Sequence, residues 1–346
     1  MNHLGKVTSF LAIAALVGCA VQGSAEATAR AAADGIWPTH TVLKLTSPEF
    51  LAAVDPAANA AYEMAGAENG PFRLERVDLA THAVRRGPSF PVAGVLPAAG
   101  YVWIYGRQFY ARGLAKLVLY QVSSSTLARV RSWLIAPRSA AGLTVTAGPG
   151  RSVWVGYQGT LLRLDATSGA TVATIKLPAG RNVASASVDP AGRYLYVSAW
   201  SGSNGWVSEY AASTGHLLAT TALSSAGPSA LTAVPGGVWA SFRTGMNGRT
   251  VLLRQRGLRE VTPSAAIFIW PMDATTVYGG GRLWLAEEVG AVGCIAPGTG
   301  QVVAQGRVPL LDFTPWLLAV NASRQLLYAQ DGVAIISITP PRACWS

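Results

Sequence analysis

The sequence is poor in charge. Only 13% of its 346 residues are Asp, Glu, Lys or Arg, against 50% that are hydrophobic. That balance excludes wholesale disorder and supplies enough apolar material for a large core. Acidic residues are the scarcer kind, 17 against 27 basic, for a formal net charge of +10. Lys6, Lys44, Lys116 and Lys176 are the only lysines, so nearly all the positive charge is Arg. No run of five or more Lys or Arg occurs, which removes the polybasic tail expected of a nucleic-acid binder. The surplus reads as a scattered Arg-rich surface or as the complement of an acidic partner, an envelope polymer or an anionic membrane surface. Histidine is scarce at four residues, leaving little material for acid–base or metal chemistry. There is no Gly-rich phosphate loop, no Gly-x-Ser-x-Gly nucleophile elbow and no Cys-x-x-Cys pair.

What is present begins with an export signal. Lys6 and the free amine precede the apolar stretch from Phe10 to Val17, which is too short to span a bilayer. Leu16-Val17-Gly18-Cys19 closes it and resembles the lipobox of bacterial lipoproteins. The resemblance implies that Cys19 is diacylated, becomes the mature first residue and tethers the protein outside the cytoplasm. Ordinary cleavage after Ala25-Glu26-Ala27, giving a secreted protein, is the alternative. Residues 1–19 are thus a signal peptide, and 20–35, rich in Ala and Gly, a flexible tether. Cys294 and Cys344 remain, an even number in an oxidising compartment, and are expected to pair; two separate buried thiols are the alternative.

Residues 36–346 are built on a repeat. Its clearest copy, Ser152 to Leu177, reads as three strands: Val153-Trp154-Val155, Leu161 to Leu164 and Thr171 to Leu177. They are joined by Gln158-Gly159 and by Asp165-Ala166-Thr167-Ser168-Gly169. Asp bonding the backbone two residues on and Gly accepting a positive φ are turn chemistry. The aromatic of the first of these strands returns as Tyr62, Trp103, Trp154, Tyr196, Trp239, Trp284 and Tyr328. The period is in the forties, with one longer step between Trp103 and Trp154. Four strands per unit at that period predict an all-β fold, a seven-bladed β-propeller with four-stranded blades. The second turn recurs as Val77-Asp78-Leu79-Ala80-Thr81, Tyr210 to Gly215 and Ile295 to Gly300. These residues resemble the YVTN and PQQ-like propeller repeats, over roughly residues 41–340, and the layout is similar to streptogramin-lyase-like propellers. That likeness implies the fold and leaves function open. The last unit lacks a fourth strand, whereas Thr41-Val42-Leu43-Lys44-Leu45 is a strand without a neighbour. Placing it outermost in the last blade closes the ring.

Propeller connectivity assigns the turns between second and third strands, and the blade-to-blade links, to one rim. The turns there hold Arg107, Phe109, Tyr110, Arg112, Tyr157, Gln158, Trp200, Asn204, Trp206, Phe242, Arg243, Asn247, Arg249, Glu287 and Glu288. The links add Phe90, Arg138, Arg181, Asn182, Trp270, Asp312 and Trp316. Aromatic platforms mixed with Arg and Asn suit sugars, peptides or acidic groups; packing of these Trp between loops or into the funnel is the alternative. Arg107, Tyr110, Tyr157, Trp200, Trp206, Arg243, Asn247, Trp270, Glu287 and Trp316 are the expected ligand-binding set. The strand aromatics occupy a shared packing slot. His40, His82 and His216 fall on the opposite rim, which departs from the catalytic His of streptogramin-lyase-like enzymes. Too few blades and no adjacent Cys pair argue against a quinone, and no cofactor or metal is expected.

The sequence therefore predicts a lipid-anchored, extracytoplasmic monomer that binds a protein, a glycan or an acidic envelope ligand through one rim and catalyses nothing. It touches the membrane through its anchor only and binds no nucleic acid. A lyase- or lactonase-like enzyme and a scaffold for envelope assembly are the alternatives, the last marked by an apolar patch on a blade edge.

Overall fold

The computed structural model describes residues 32–45, 52–66, 71–110, 114–139, 142–223, 230–244, 247–261, 275–286, 290–309 and 316–345. They form seven antiparallel sheets, one per repeat: blades one to seven occupy 53–90, 94–139, 143–176, 182–223, 230–261, 275–307 and 316–338. In every blade the strands pair in sequence order. Each first strand also touches the first strands of both neighbouring blades, and the seven contacts close a ring around the axis. This is a seven-bladed β-propeller. Hydroxyls reinforce the axial wall where backbones of different blades cannot pair. Ser187 Oγ accepts from the Ala233 N–H at 3.0 Å, Thr232 and Thr276 share a 2.6 Å hydroxyl bond, and Thr275 Oγ1 accepts from the Leu317 N–H at 3.0 Å.

The apolar core is divided into seven layers, one between each pair of neighbouring blades. Each layer receives the recurrent aromatic of one blade on its second strand. Tyr62, Trp103, Trp154, Tyr196, Trp239, Trp284 and Tyr328 are all at most 2% exposed, which makes this a packing slot. Alternation explains it: one sheet face meets the preceding blade and the other the following one, so both faces of the second strand are buried. Truncating a Trp here to Ala is expected to cost about 3–5 kcal/mol.

The ring closes through the N-terminal strand. Thr39–Lys44 pairs antiparallel with Ala334–Ile338 as the outer strand of blade seven, in register from Thr39 opposite Ile338 to Lys44 opposite Ala334. One element was not anticipated. Ala32–Ile36 adds a fifth strand to blade six, parallel to Val302–Arg307. Residues 32–35, assigned from composition to the tether, are therefore paired. The docking residue is Trp37, 4% exposed, whose N–H donates to the Arg307 carbonyl at 2.9 Å. At the chain's other end, Cys294 in blade six is disulfide-bonded to Cys344 in the short 3-10 turn Arg342–Trp345. Trp345 packs against Trp284 with ring centroids 4.8 Å apart.

Candidate functional site

On the rim formed by the second–third turns and the blade links, the described residues include a depression between blades three and four. It has a volume of about 440 Å³ and is lined by Gln158, Gly159, residues 177–182 and Trp200. Its frame is set by the backbone. The hairpin turn of blade three, Gln158-Gly159, is bonded on both sides to the link that leaves that blade. The Leu177 N–H donates to the Gly159 carbonyl at 2.8 Å, and the Val183 N–H donates to the Gln158 carbonyl at 2.6 Å. Between these anchors the link turns over Pro178-Ala179-Gly180-Arg181. The Arg181 N–H donates to the Pro178 carbonyl at 3.2 Å, and Gly180 sits at φ 80°. Pro178 opens the turn, and a positive-φ Gly at its third position is the residue that such a turn demands.

The side chains follow from that frame. Arg181 lies with its guanidinium carbon 3.9 Å from the centre of the Trp206 ring, a cation–π contact. Trp200, the partner of Asn182 across the strand pair, is 42% exposed beside it. Gln158 holds φ 46°, a left-handed conformation costly for a residue with a Cβ. Gly159 has a different reason to be glycine: a Cβ there would lie 3.0 Å from the Arg181 carbonyl oxygen.

Of the rim residues expected from sequence, Trp200 lines the depression with Gln158, Arg181 and Asn182, and Trp206 adjoins it through its contact with Arg181. Trp200 is paired with Gly205 and Trp206 with Ala199, so the two indoles leave opposite faces of the hairpin. Tyr157 ends the adjoining strand Ser152–Tyr157 and is half-buried. Arg107 and Phe109 make a separate pair on blade two, 4.9 Å apart, with Phe109 66% exposed and the Arg107 Nε buried without a hydrogen-bond partner. Trp316 begins the inner strand Trp316–Asn321 of blade seven and is 44% exposed. Tyr110, Arg243 and Asn247 lie on rim ends of strands, and their side chains fall outside the described structure. Trp270, Glu287, Glu288, Asp312 and Cys19 lie outside the described residues.

Two expectations need correction. Trp200 and Trp206 are not loop residues: the hairpin of blade four continues as paired strand to Ser201 opposite Asn204, so the backbone of both residues is fixed in the ladder. Phe90 is not a rim ligand. It is 1% exposed and packs on Tyr120 with centroids 5.1 Å apart. The part of the site that sequence reading left unassigned is the turn 177–180, whose Pro-x-Gly spacing was the available signal.

Elsewhere, His40, His82 and His216 are exposed, on the opposite rim. Among the described residues no three His, Cys, Asp or Glu are grouped so as to hold a metal ion. A second surface is apolar: the outer strands of blades two, three and four expose Val130, Leu134, Val172, Leu217 and Leu218, each by 44% or more.

No family model matches the sequence, and no curated protein matches it. Among solved structures, BamB from Moraxella catarrhalis is similar with a TM-score of 0.57 at 18% identity, over 84% of this chain and 85% of that one. At that identity the likeness is one of fold, and 1222 solved chains match, so the architecture by itself selects no function.

Proposed function

We propose that this chain is an exported, lipid-anchored propeller that binds a protein partner through the rim between blades three and four and catalyses no reaction. The observation that carries the reading is the Arg181–Trp206 stack beside the exposed Trp200, over a depression whose frame is bonded at both ends. Exposed Trp and Arg on a preformed frame are the residue types that dominate protein interfaces. The side chains lining the depression are apolar, amide or guanidinium groups, all suited to recognition and none able to act as a general acid or base near neutral pH. Anchoring through Cys19 rests on the lipobox-like Leu16-Val17-Gly18-Cys19 and places the protein outside the cytoplasm.

A second reading, an envelope-assembly scaffold contacted along its side, is favoured by one observation. Val130, Leu134, Val172, Leu217 and Leu218 stand exposed on three consecutive outer strands, a distribution suited to an extended apolar contact.

The test is a cross-linked pull-down from native membranes with the parent, a Trp200→Ala variant and a Leu134→Ser/Leu217→Ser variant. Capture lost only with Trp200→Ala supports the rim. Capture lost only with the outer-strand variant transfers the function to the blade edges. Capture unchanged by Trp200→Ala overturns the rim reading.

A further inference from the structure

Among the described residues no carboxylate is paired with Arg181. The ion pairs of Arg86 with Glu75 and of Arg193 with Asp189 lie away from this rim. Arg181 makes no side-chain hydrogen bond or ion pair among the described residues. One contact defines its position, the stack on Trp206 at 3.9 Å. That contact uses a face of the guanidinium and leaves its in-plane N–H donors to other partners, and Arg181 lines the depression. The rest of the depression is neutral, with the amides of Gln158 and Asn182 and the indole of Trp200. The protein as a whole carries +10 with few carboxylates of its own.

We infer that this depression is a carboxylate subsite, in which Arg181, held flat on Trp206, forks onto the carboxylate of a partner peptide while Trp200 covers the adjoining apolar stem. The inference rests on the rim reading above and names the chemistry that this rim recognises. A single guanidinium among neutral amides balances one negative charge, which suits a carboxylate and leaves a phosphate dianion half neutralised, although its fork fits the oxygens of either. The frame is in place before any ligand arrives. Both ends of the 177–183 link are tied to the Gln158-Gly159 turn. Preorganisation of this kind lowers the ordering cost of binding.

The test is titration of the full chain by calorimetry and tryptophan emission with three probes. They are an acetylated tri-alanine with a free C-terminal carboxylate, the same peptide amidated, and an amidated acetyl-Ala-Glu-Ala. Binding of one or both acids, with the amidated tri-alanine at least tenfold weaker, is expected, and the acid that binds identifies a terminal or a side-chain carboxylate as the source. Arg181→Gln should lower that affinity at least tenfold with an unchanged unfolding midpoint. Arg259→Gln, on the outer strand of blade five, should leave it within twofold. The proposal is overturned if neither acid binds, if Arg181→Gln binds as the parent does, or if inorganic phosphate competes as well as the acids. Failure of the peptides while Trp200→Ala still abolishes partner capture removes the carboxylate assignment and leaves the rim reading standing. Capture indifferent to Trp200→Ala removes the rim reading instead.

Discussion

Arg163, in the third strand of blade three, donates to the carbonyl of Ser213 in the outer turn of blade four, 2.9 Å away. The contact belongs to a series. Arg85 of blade one reaches the Ser125 carbonyl of blade two, and Arg131 of blade two reaches the Thr167 carbonyl of blade three at 2.7 Å. Arg254 and the Trp239 indole of blade five reach the Gly298 and Pro297 carbonyls of blade six, at 3.2 and 3.0 Å. The outer turns thus have two jobs. Asp78 and Asp165 close their own turns, and the backbone N–H donors of Thr81 and Ser168, first among several bonds, hold the two carboxyl pKa values below the usual range. In blades two, three, four and six a carbonyl of the outer turn is bound by the preceding blade, which fixes the stagger between those blades as the apolar layers alone cannot.

Arg163 also donates to Ser152 Oγ at 3.0 Å and to the Pro149 carbonyl at 3.4 Å, so its guanidinium ties three segments together. Arg163→Met keeps the stem and removes the donors. It is expected to cost about 1–3 kcal/mol in chemical denaturation. Arg163→Lys should recover only part of that, because an ammonium cannot reproduce the fork.

Blade four inverts the pattern. Glu209, fully buried, accepts from the Arg256 N–H of blade five at 3.0 Å through Oε2, while Oε1 is buried without a partner. Burial, with a smaller contribution from Asp189, raises its pKa against the opposing effect of the Arg256 N–H and guanidinium. A carboxyl whose folded pKa exceeds its unfolded one contributes stability that is complete below the unfolded value and is lost as pH rises through the folded value. Glu209→Gln retains an acceptor for Arg256 and carries no charge. The variant should therefore gain stability relative to the parent as pH climbs from about 4 through the raised pKa, with the two converging at lower pH. Thermal unfolding across pH 3–8 measures the difference, and a constant offset would show that the Glu209 carboxyl titrates alike in the folded and unfolded chain.

The blade count, the aromatic slot and the closing strand were legible because each repeats or completes a repeat. Seven aromatics at one spacing can satisfy only one ring, and a blade short of a strand needs the lone strand at Thr39–Lys44. The rim was legible as a list of residues on one side and not as a site. Which of them meet depends on how far each hairpin extends beyond the blade body, and Trp200 lies on paired strand only because that hairpin runs on to Ser201. The fifth strand at Ala32–Ile36 had no signal at all. Its sequence, Ala-Ala-Asp-Gly-Ile, has no β-branched or aromatic alternation, and it pairs because Trp37 anchors it.

The Gln158-Gly159 turn reverses the expectation that glycine carries the left-handed residue, since Gln158 holds φ 46° and Gly159 serves the close approach of the Arg181 carbonyl. The two positions should respond in opposite ways. Gln158→Gly removes about 1–2 kcal/mol of left-handed strain and adds about 0.5–1 kcal/mol of unfolded-chain entropy, so stability should hold or rise. Gly159→Ala must displace the link, and is expected to lower stability by about 1 kcal/mol and to weaken partner capture through Trp200. Denaturation midpoints of the two variants decide it, and equal losses would mean that the turn has another geometry in solution.

The docking of the N-terminal strand turns on Gly306. A Cβ there would lie 2.2 Å from the Trp37 indole nitrogen and 2.6 Å from the Gly35 carbonyl oxygen, closer than any rotamer change relieves, because one obstacle is backbone. Gly306→Ala should therefore expel residues 32–37 from blade six. The ring itself is expected to persist, because its closure depends on Thr39–Lys44 pairing with Ala334–Ile338 and on the Cys294–Cys344 bond, neither of which involves Gly306. Limited proteolysis with a non-specific protease reads the outcome. The variant should be clipped near Trp37 at concentrations that spare the parent, leaving a fragment from about residue 38 onward that unfolds cooperatively. Clipping within blade six as well would show instead that the added strand is needed to hold that blade together, which would make it part of the fold and not the end of the tether.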